Sequence, residues 1–300
     1  MPLNTTIELR LDRFLDARTA VRQSIRLYTG SIDDNRVLDF EPEYDVVERV
    51  LVFRFRDGAE LHPRTLYTVQ IPVPTEEEDS DGLRALDKAP LAPGPVPLEF
   101  NFMTGETREP ARQTPDVQTC EFIVETIFQT AGCASENCHH PGDLDRGRLG
   151  MDLYTQAGLV ATAIDQVAHQ TDLGPTSGAT FENPPRFGTN MPRIGRDAPE
   201  NSYMLYKLLR DPLNLRPFLT SDSDPCEPDR NPVHNVLLPE GECFAPSQEE
   251  ADRLREWFVR GESMPIRRLP NATATVVAEG LTRRRLRELQ TWIRAGAPCL

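Results

Sequence analysis

The chemistry-bearing residues of this 300-residue chain gather in one short stretch, AGCASENCHHPG at 131–142. Cys133 and Cys138 are separated by four residues, and His139 follows directly. Two thiols and an imidazole from one turn match the arrangement that attaches a c-type haem, here with a longer spacer than the usual ~2 residues. The spacing has a physical reason. Both sulfurs must reach vinyl groups on neighbouring edges of one porphyrin while the adjacent imidazole approaches the iron from the same side. Three other readings of the same residues stay open: a short disulfide between Cys133 and Cys138, a zinc site with His139 and His140, and unpaired thiols. Zinc would call for a second ligand pair at comparable spacing. Cys226 and Cys243 are too far apart to supply it.

The elements around this stretch divide the chain in two. Residues 5–104 alternate apolar and polar positions in Thr6–Leu11, Ser24–Tyr28, Val50–Phe55, Leu66–Ile71 and Leu98–Phe102, with Gly, Pro and Asp clusters between them. Short period-two runs at regular spacing predict an antiparallel β-sandwich in place of a β-α-β sheet. The acidic, proline-rich segment 74–97 reads as a long exposed loop, and 105–118 has the composition of a linker. The period then changes. Cys120, Ile123, Val124, Ile127, Phe128 and Ala131 recur every three or four residues, predicting an amphipathic helix over 117–131. Further helices are predicted over 202–210, after the capping box Ser247–Glu250, and after Thr282. The last of these has Leu286, Leu289, Trp292 and Ile293 on one face and a Gly296-Ala297-Pro298 stop. LREWFVRG at 254–261 and LQTWIRAG at 289–296 are alike, which similar helix ends explain better than duplication. The domains expected are therefore 1–108, a sandwich, and 109–300, mainly helical and loop-rich.

Charge and composition narrow the classes of function. With 47 acidic against 33 basic residues and a net charge of -14, the chain lacks the basic face that nucleic acid demands. The run Arg283–Arg285 with Arg287 reads as a solvated helix face. No stretch approaches the ~18 apolar residues of a membrane span, and no signal peptide is visible. A Ser-His-Asp order, a phosphate-binding glycine loop and an HExxH helix are all missing, so hydrolytic and nucleotide chemistry have no support.

Two resemblances add to this reading. LHPRTLYTVQI at 61–71 with FNFMTG at 100–105 resembles the strands of SbsA-type bacterial Ig-like domains, which implies a spacer or stalk on an exported protein. CHHPG at 138–142, GLV at 158–160, ENSYMLYKLL at 200–209, SMP at 263–265 and WIRAGAP at 292–298 resemble a group of exported bacterial cytochrome c-like proteins. That second resemblance spans roughly residues 117–300. It implies one covalently attached haem c, thioethers at Cys133 and Cys138, His139 as proximal iron ligand in preference to His140, and Met264 as distal ligand. Met191, His169 and His234 are the other candidates for the distal position, and an open position is a further alternative. A neutral thioether would favour ferrous iron and raise the potential, which suits electron transfer. Trp257 and Trp292 read as packing residues.

The remaining cysteines are expected to pair. Cys226 and Cys243 flank a proline-rich loop, and Cys120 with Cys299 would tie the first helix to the last residues, although sequence does not fix connectivity. The reading as a whole is an exported mono-haem cytochrome, periplasmic or at the cell surface, carrying electrons to a redox partner protein with basic character. Its signal peptide, and a lipid anchor if there is one, would be lost from this chain, and it would be an electron carrier more than an enzyme. Two alternatives stand beside it: a haem-free extracellular binding or structural module stabilised by disulfides, and a five-coordinate haem sensor or peroxidase.

Overall fold

The computed structural model describes residues 1–30, 36–37, 40–56, 59–74, 82–86, 89–92, 97–110, 116–135, 138–141, 150–168, 191–209, 281 and 283–299. Two compact units divide the chain, the first containing Met1–Thr114 and the second beginning at Pro115. The architecture is mixed: antiparallel β in the first unit and short helices in the second. No helix among the described residues is long and apolar enough to cross a membrane.

Among its described residues the first unit holds seven strands: β1 (Ile7–Arg10), β2 (Arg26–Tyr28), β3 (Arg36–Val37), β4 (Phe40–Asp45), β5 (Val50–Phe55), β6 (Leu66–Gln70) and β7 (Glu99–Met103). They form one sheet in the order β1-β5-β4 and another in the order β3-β2-β6-β7. Every pairing is antiparallel, with Ile7 opposite Phe53, Phe40 opposite Phe55 and Leu66 opposite Met103. In β6 the period of two is visible in burial: Tyr67 and Val69 are buried while Leu66 is exposed. Val50–Phe53 are buried without alternation, as suits the central strand of its sheet. The five alternating runs in the sequence correspond to β1, β2, β5, β6 and β7. Strands β3 and β4 were not among them; β4 carries Pro42 in Phe40-Glu41-Pro42-Glu43-Tyr44, and proline is disfavoured inside a sheet. The structure places β4 at a sheet edge, where a missing N–H is tolerated.

The LHPRTLYTVQI and FNFMTG segments meet at a buried threonine. The Thr104 hydroxyl accepts from the Thr65 N–H at 2.9 Å and donates to the His62 carbonyl at 2.6 Å, and the His62 N–H in turn donates to the Tyr67 hydroxyl at 2.9 Å. This knot fixes the turn before β6 against the end of β7. Thr104→Val keeps the shape and removes the hydroxyl, leaving the half-buried Thr65 N–H without its acceptor. The expected loss is about 1–3 kcal/mol in urea unfolding followed by circular dichroism; a change within the experimental error would mean that the knot is not a stabilising contact.

In the second unit the first helix, α1, opens with an α-turn at Cys120–Phe122, capped by the Thr119 hydroxyl, which accepts from the Phe122 N–H. It continues as a π-helix over Ile123–Gln129. The predicted face is kept, with Cys120, Ile123, Val124, Ile127, Phe128 and Ala131 all buried. Its winding is wider than the α-helix expected over 117–131, because a π-helix bonds five residues apart. Gly132, at φ 74°, ends the helix in the left-handed conformation that glycine adopts without a steric cost. Helix α3 (Tyr203–Leu209) is buried nearly all round, and helix α4 (Arg283–Arg294) buries Leu286, Leu289, Trp292 and Ile293 on the face read from sequence. On its other side the Arg284 and Arg285 guanidiniums reach Glu288.

Helix α2 (Gln156–Thr162) was not anticipated, since Leu159 is its one buried apolar residue. Local polar bonds hold its start. The Asp152 carboxylate accepts from the N–H of Tyr154 at 2.7 Å and from the Thr155 hydroxyl at 2.9 Å, and the Thr155 hydroxyl accepts from the Gly158 N–H at 2.9 Å. A Cβ at Gly158 would lie 1.9 Å from Asp152 Oδ2. Gly to Ala inside a helix ordinarily gains about 1 kcal/mol. Here Gly158→Ala must displace the carboxylate, so a net loss of about 1–3 kcal/mol is expected in thermal or urea unfolding; a gain would show that Asp152 moves aside freely.

Candidate functional site

The Cys133–His139 turn follows directly from α1. The Ala134 N–H donates to the Phe128 carbonyl at 3.1 Å, the Cys138 N–H to the Ser135 carbonyl at 2.8 Å, and the His139 N–H to the Cys133 carbonyl at 3.0 Å. These bonds bring the two cysteines and the histidine into one closed turn, as the sequence spacing requires. The Leu153 N–H then donates to the His139 carbonyl at 2.9 Å, pinning the turn to the strand of chain that leads into α2. Beside it, the rings of His140 and Tyr154 lie 4.1 Å apart, and Gln129 Nε2 donates to the Tyr154 carbonyl.

The turn treats its two sulfurs differently. Cys133 is buried and Cys138 half-buried, and both are free thiols. Burial, and after it the neighbouring Cys138, push the Cys133 thiol up to about 12. His139 is buried among the same residues. The other expected sulfur pair is formed: Cys120 and Cys299 are joined in a disulfide with Cα atoms 5.1 Å apart, bridging a sequence separation of 179. Around that bridge the Arg285 guanidinium lies 4.9 Å from the centre of the Phe122 ring, so α1 and α4 touch there by side chains as well.

The candidate iron ligands distribute less favourably. Met191 is buried, with its carbonyl accepting from the Ala168 N–H, beside the Val167–Pro192 bridge. Met264, His169, His234, Trp257, Cys226, Cys243, Thr282 and the helix predicted after Ser247 lie outside the described residues. Among the described residues no group of three or more His, Cys, Asp or Glu side chains is placed to hold a metal ion. Cys133 and His139 are both packed inward.

No protein-family model matches the chain. No curated protein is significantly similar to it. Among solved structures, the N-terminal part of the bacterial S-layer protein SbsC aligns at 11% identity and a TM-score of 0.24, covering 40% of this chain and 23% of that one. The S-layer protein rSbsC(31-844) aligns at 12% identity and a TM-score of 0.23, covering 39% and 13%. The chain thus spans less than a quarter of either S-layer chain, and likeness at this level assigns neither fold nor function.

These findings correct the sequence reading at its most specific point. The membership implied by the resemblance, an SbsA-type Ig-like domain joined to an exported cytochrome c-like protein, is not met by any family model or curated relative. The cytochrome, haem, iron and metal-binding character read from the sequence is corrected with it, because among the described residues no group of Cys and His side chains is placed to hold a metal ion. The physical reason lies in burial. A spacing of cysteines and histidine places them in one turn but does not decide whether they face outward or into the core. The other sulfur pairing, Cys120 with Cys299, stands as the sequence reading gave it.

Proposed function

We propose that the chain works outside the cytoplasm, at the cell surface or in the periplasm, as a haem-free binding or structural module braced by disulfide chemistry. The observation that carries this reading is the Cys120–Cys299 bridge. A disulfide closing so long a loop persists in an oxidising compartment and is reduced in a cytosol. The first unit supplies a spacer in this reading, its two sheets packed as an Ig-like sandwich. The second unit supplies the surface that meets a partner, and the net charge of -14 favours a partner with basic character.

The test is to export the full chain in a bacterium equipped for c-type haem maturation and to record intact mass and visible spectrum with and without reductant. A colourless protein of unmodified mass, with Cys120 and Cys299 linked in the non-reduced peptide map, is expected. One haem of added mass with a low-spin spectrum would overturn the reading and restore the electron-carrier alternative. Cys120 and Cys299 found as free thiols in the exported protein would equally overturn it.

A further inference from the structure

We propose that Cys133 and Cys138 form an oxidisable dithiol that closes to an intramolecular disulfide by exchange with a low-molecular-weight disulfide, Cys138 being the entry thiol and Cys133 the resolving one. Three observations carry this. Both sulfurs are free in a unit whose other described cysteines, Cys120 and Cys299, are joined. The His139 N–H donates to the Cys133 carbonyl at 3.0 Å and the Cys138 N–H to the Ser135 carbonyl at 2.8 Å, which draws the backbone at the two cysteines together. Exposure is asymmetric, with Cys138 half-buried and Cys133 buried. The raised proton affinity of Cys133 agrees with its acting second, since the thiolate is the attacking species.

The exchange balances in two steps. The Cys138 thiolate attacks one sulfur of the small disulfide RSSR, forming Cys138–S–S–R and releasing RS⁻, which takes up the proton that Cys138 gave to solvent. Cys133 then loses its proton to solvent, and its sulfur attacks Cys138 Sγ, forming the Cys133–Cys138 bond and expelling the second RS⁻, protonated in turn. Two electrons pass from the pair to RSSR, which leaves as two RSH. The two ends of α1 would then both be covalently held: Cys120 at its first turn by Cys299, and Cys133 just past its last.

This inference rests on the reading that haem does not occupy these sulfurs, and one experiment separates the two. The full exported chain is reduced at the turn under mild conditions, titrated with glutathione disulfide, quenched with an alkylating agent and mapped by peptide mass. Expected are joint loss of alkylation at Cys133 and Cys138 and a 133–138 crosslink. Before oxidant is added, alkylation should be at least ~10-fold faster at Cys138 than at Cys133. In Cys133→Ser the reaction should stop at one stable glutathione adduct on Cys138, while in Cys138→Ser the Cys133 thiol should stay reduced. Separate glutathione adducts on both cysteines of a haem-free wild-type chain, or faster alkylation at Cys133, would overturn this proposal alone. A haem on these sulfurs would overturn both readings together.

Discussion

Trp292→Ala is expected to cost about 3–5 kcal/mol, the range for emptying a fully buried tryptophan site, and to lower the unfolding midpoint of the second unit by roughly 10 °C. Trp292 has no solvent exposure and stands on the apolar face of α4 with Leu286, Leu289 and Ile293. Its backbone is committed as well. The Trp292 carbonyl accepts from the Ala297 N–H at 3.0 Å, and the Ile293 carbonyl accepts both from the Gly296 N–H and from the Asp197 N–H. Gly296, at φ 88°, makes the reversal that returns the chain across the end of α4, and the indole Nε1 donates to the Pro298 carbonyl at 3.4 Å. Removing the indole therefore opens a cavity where the helix end, the 195–198 loop and the segment carrying Cys299 come together. Trp292→Phe, which keeps most of the apolar volume, should lose markedly less. Urea unfolding followed by far-ultraviolet circular dichroism measures both variants, and a loss below ~1 kcal/mol for alanine would show that α4 is not central to its unit.

Breaking the Cys120–Cys299 bridge is expected to cost about 2–5 kcal/mol. In the chain-entropy account the bridge acts on the unfolded state, removing the freedom of the loop it closes, and the effect grows slowly with loop length. A separation of 179 residues places this bridge toward the upper part of that range. Cys120→Ser and Cys299→Ser should behave alike, since either opens the same loop. Reductant should destabilise the wild type by a similar amount and leave either variant nearly unchanged. A wild type indifferent to reductant would mean that the bridge does not stabilise the folded chain.

How much of this could be read beforehand depends on how local the signal is. The alternation of Leu66–Ile71 and the three-and-four spacing of Ile123, Val124, Ile127 and Phe128 are local patterns, and both reappear as burial in the structure. The Gly296-Ala297-Pro298 stop of α4 is local as well. Strand β4 was hidden by Pro42, whose tolerance depends on being at a sheet edge, a fact about neighbours that the segment does not contain. Helix α2 was hidden because polar bonds from Asp152 and Thr155 start it instead of an apolar stripe. At the candidate site the spacing of Cys133, Cys138 and His139 did predict a shared turn. It did not predict that Cys133 and His139 would face the interior, because facing is decided by tertiary packing around α1. The Cys120–Cys299 contact lies at the opposite limit, a meeting of residues 179 apart that was expected as a pairing but that no local pattern encodes.

The same bridge changes how the chain would carry a mechanical load. Tension entering on the N-terminal side reaches Cys120, passes across the sulfur–sulfur bond to Cys299 and leaves on the C-terminal side of it. The polypeptide between the two cysteines then lies off the line of force. While the bond is intact, that segment adds no length to a stretched chain even if its own fold is disrupted. Reduction would put it back in series, releasing about 3.4 Å for each residue paid out.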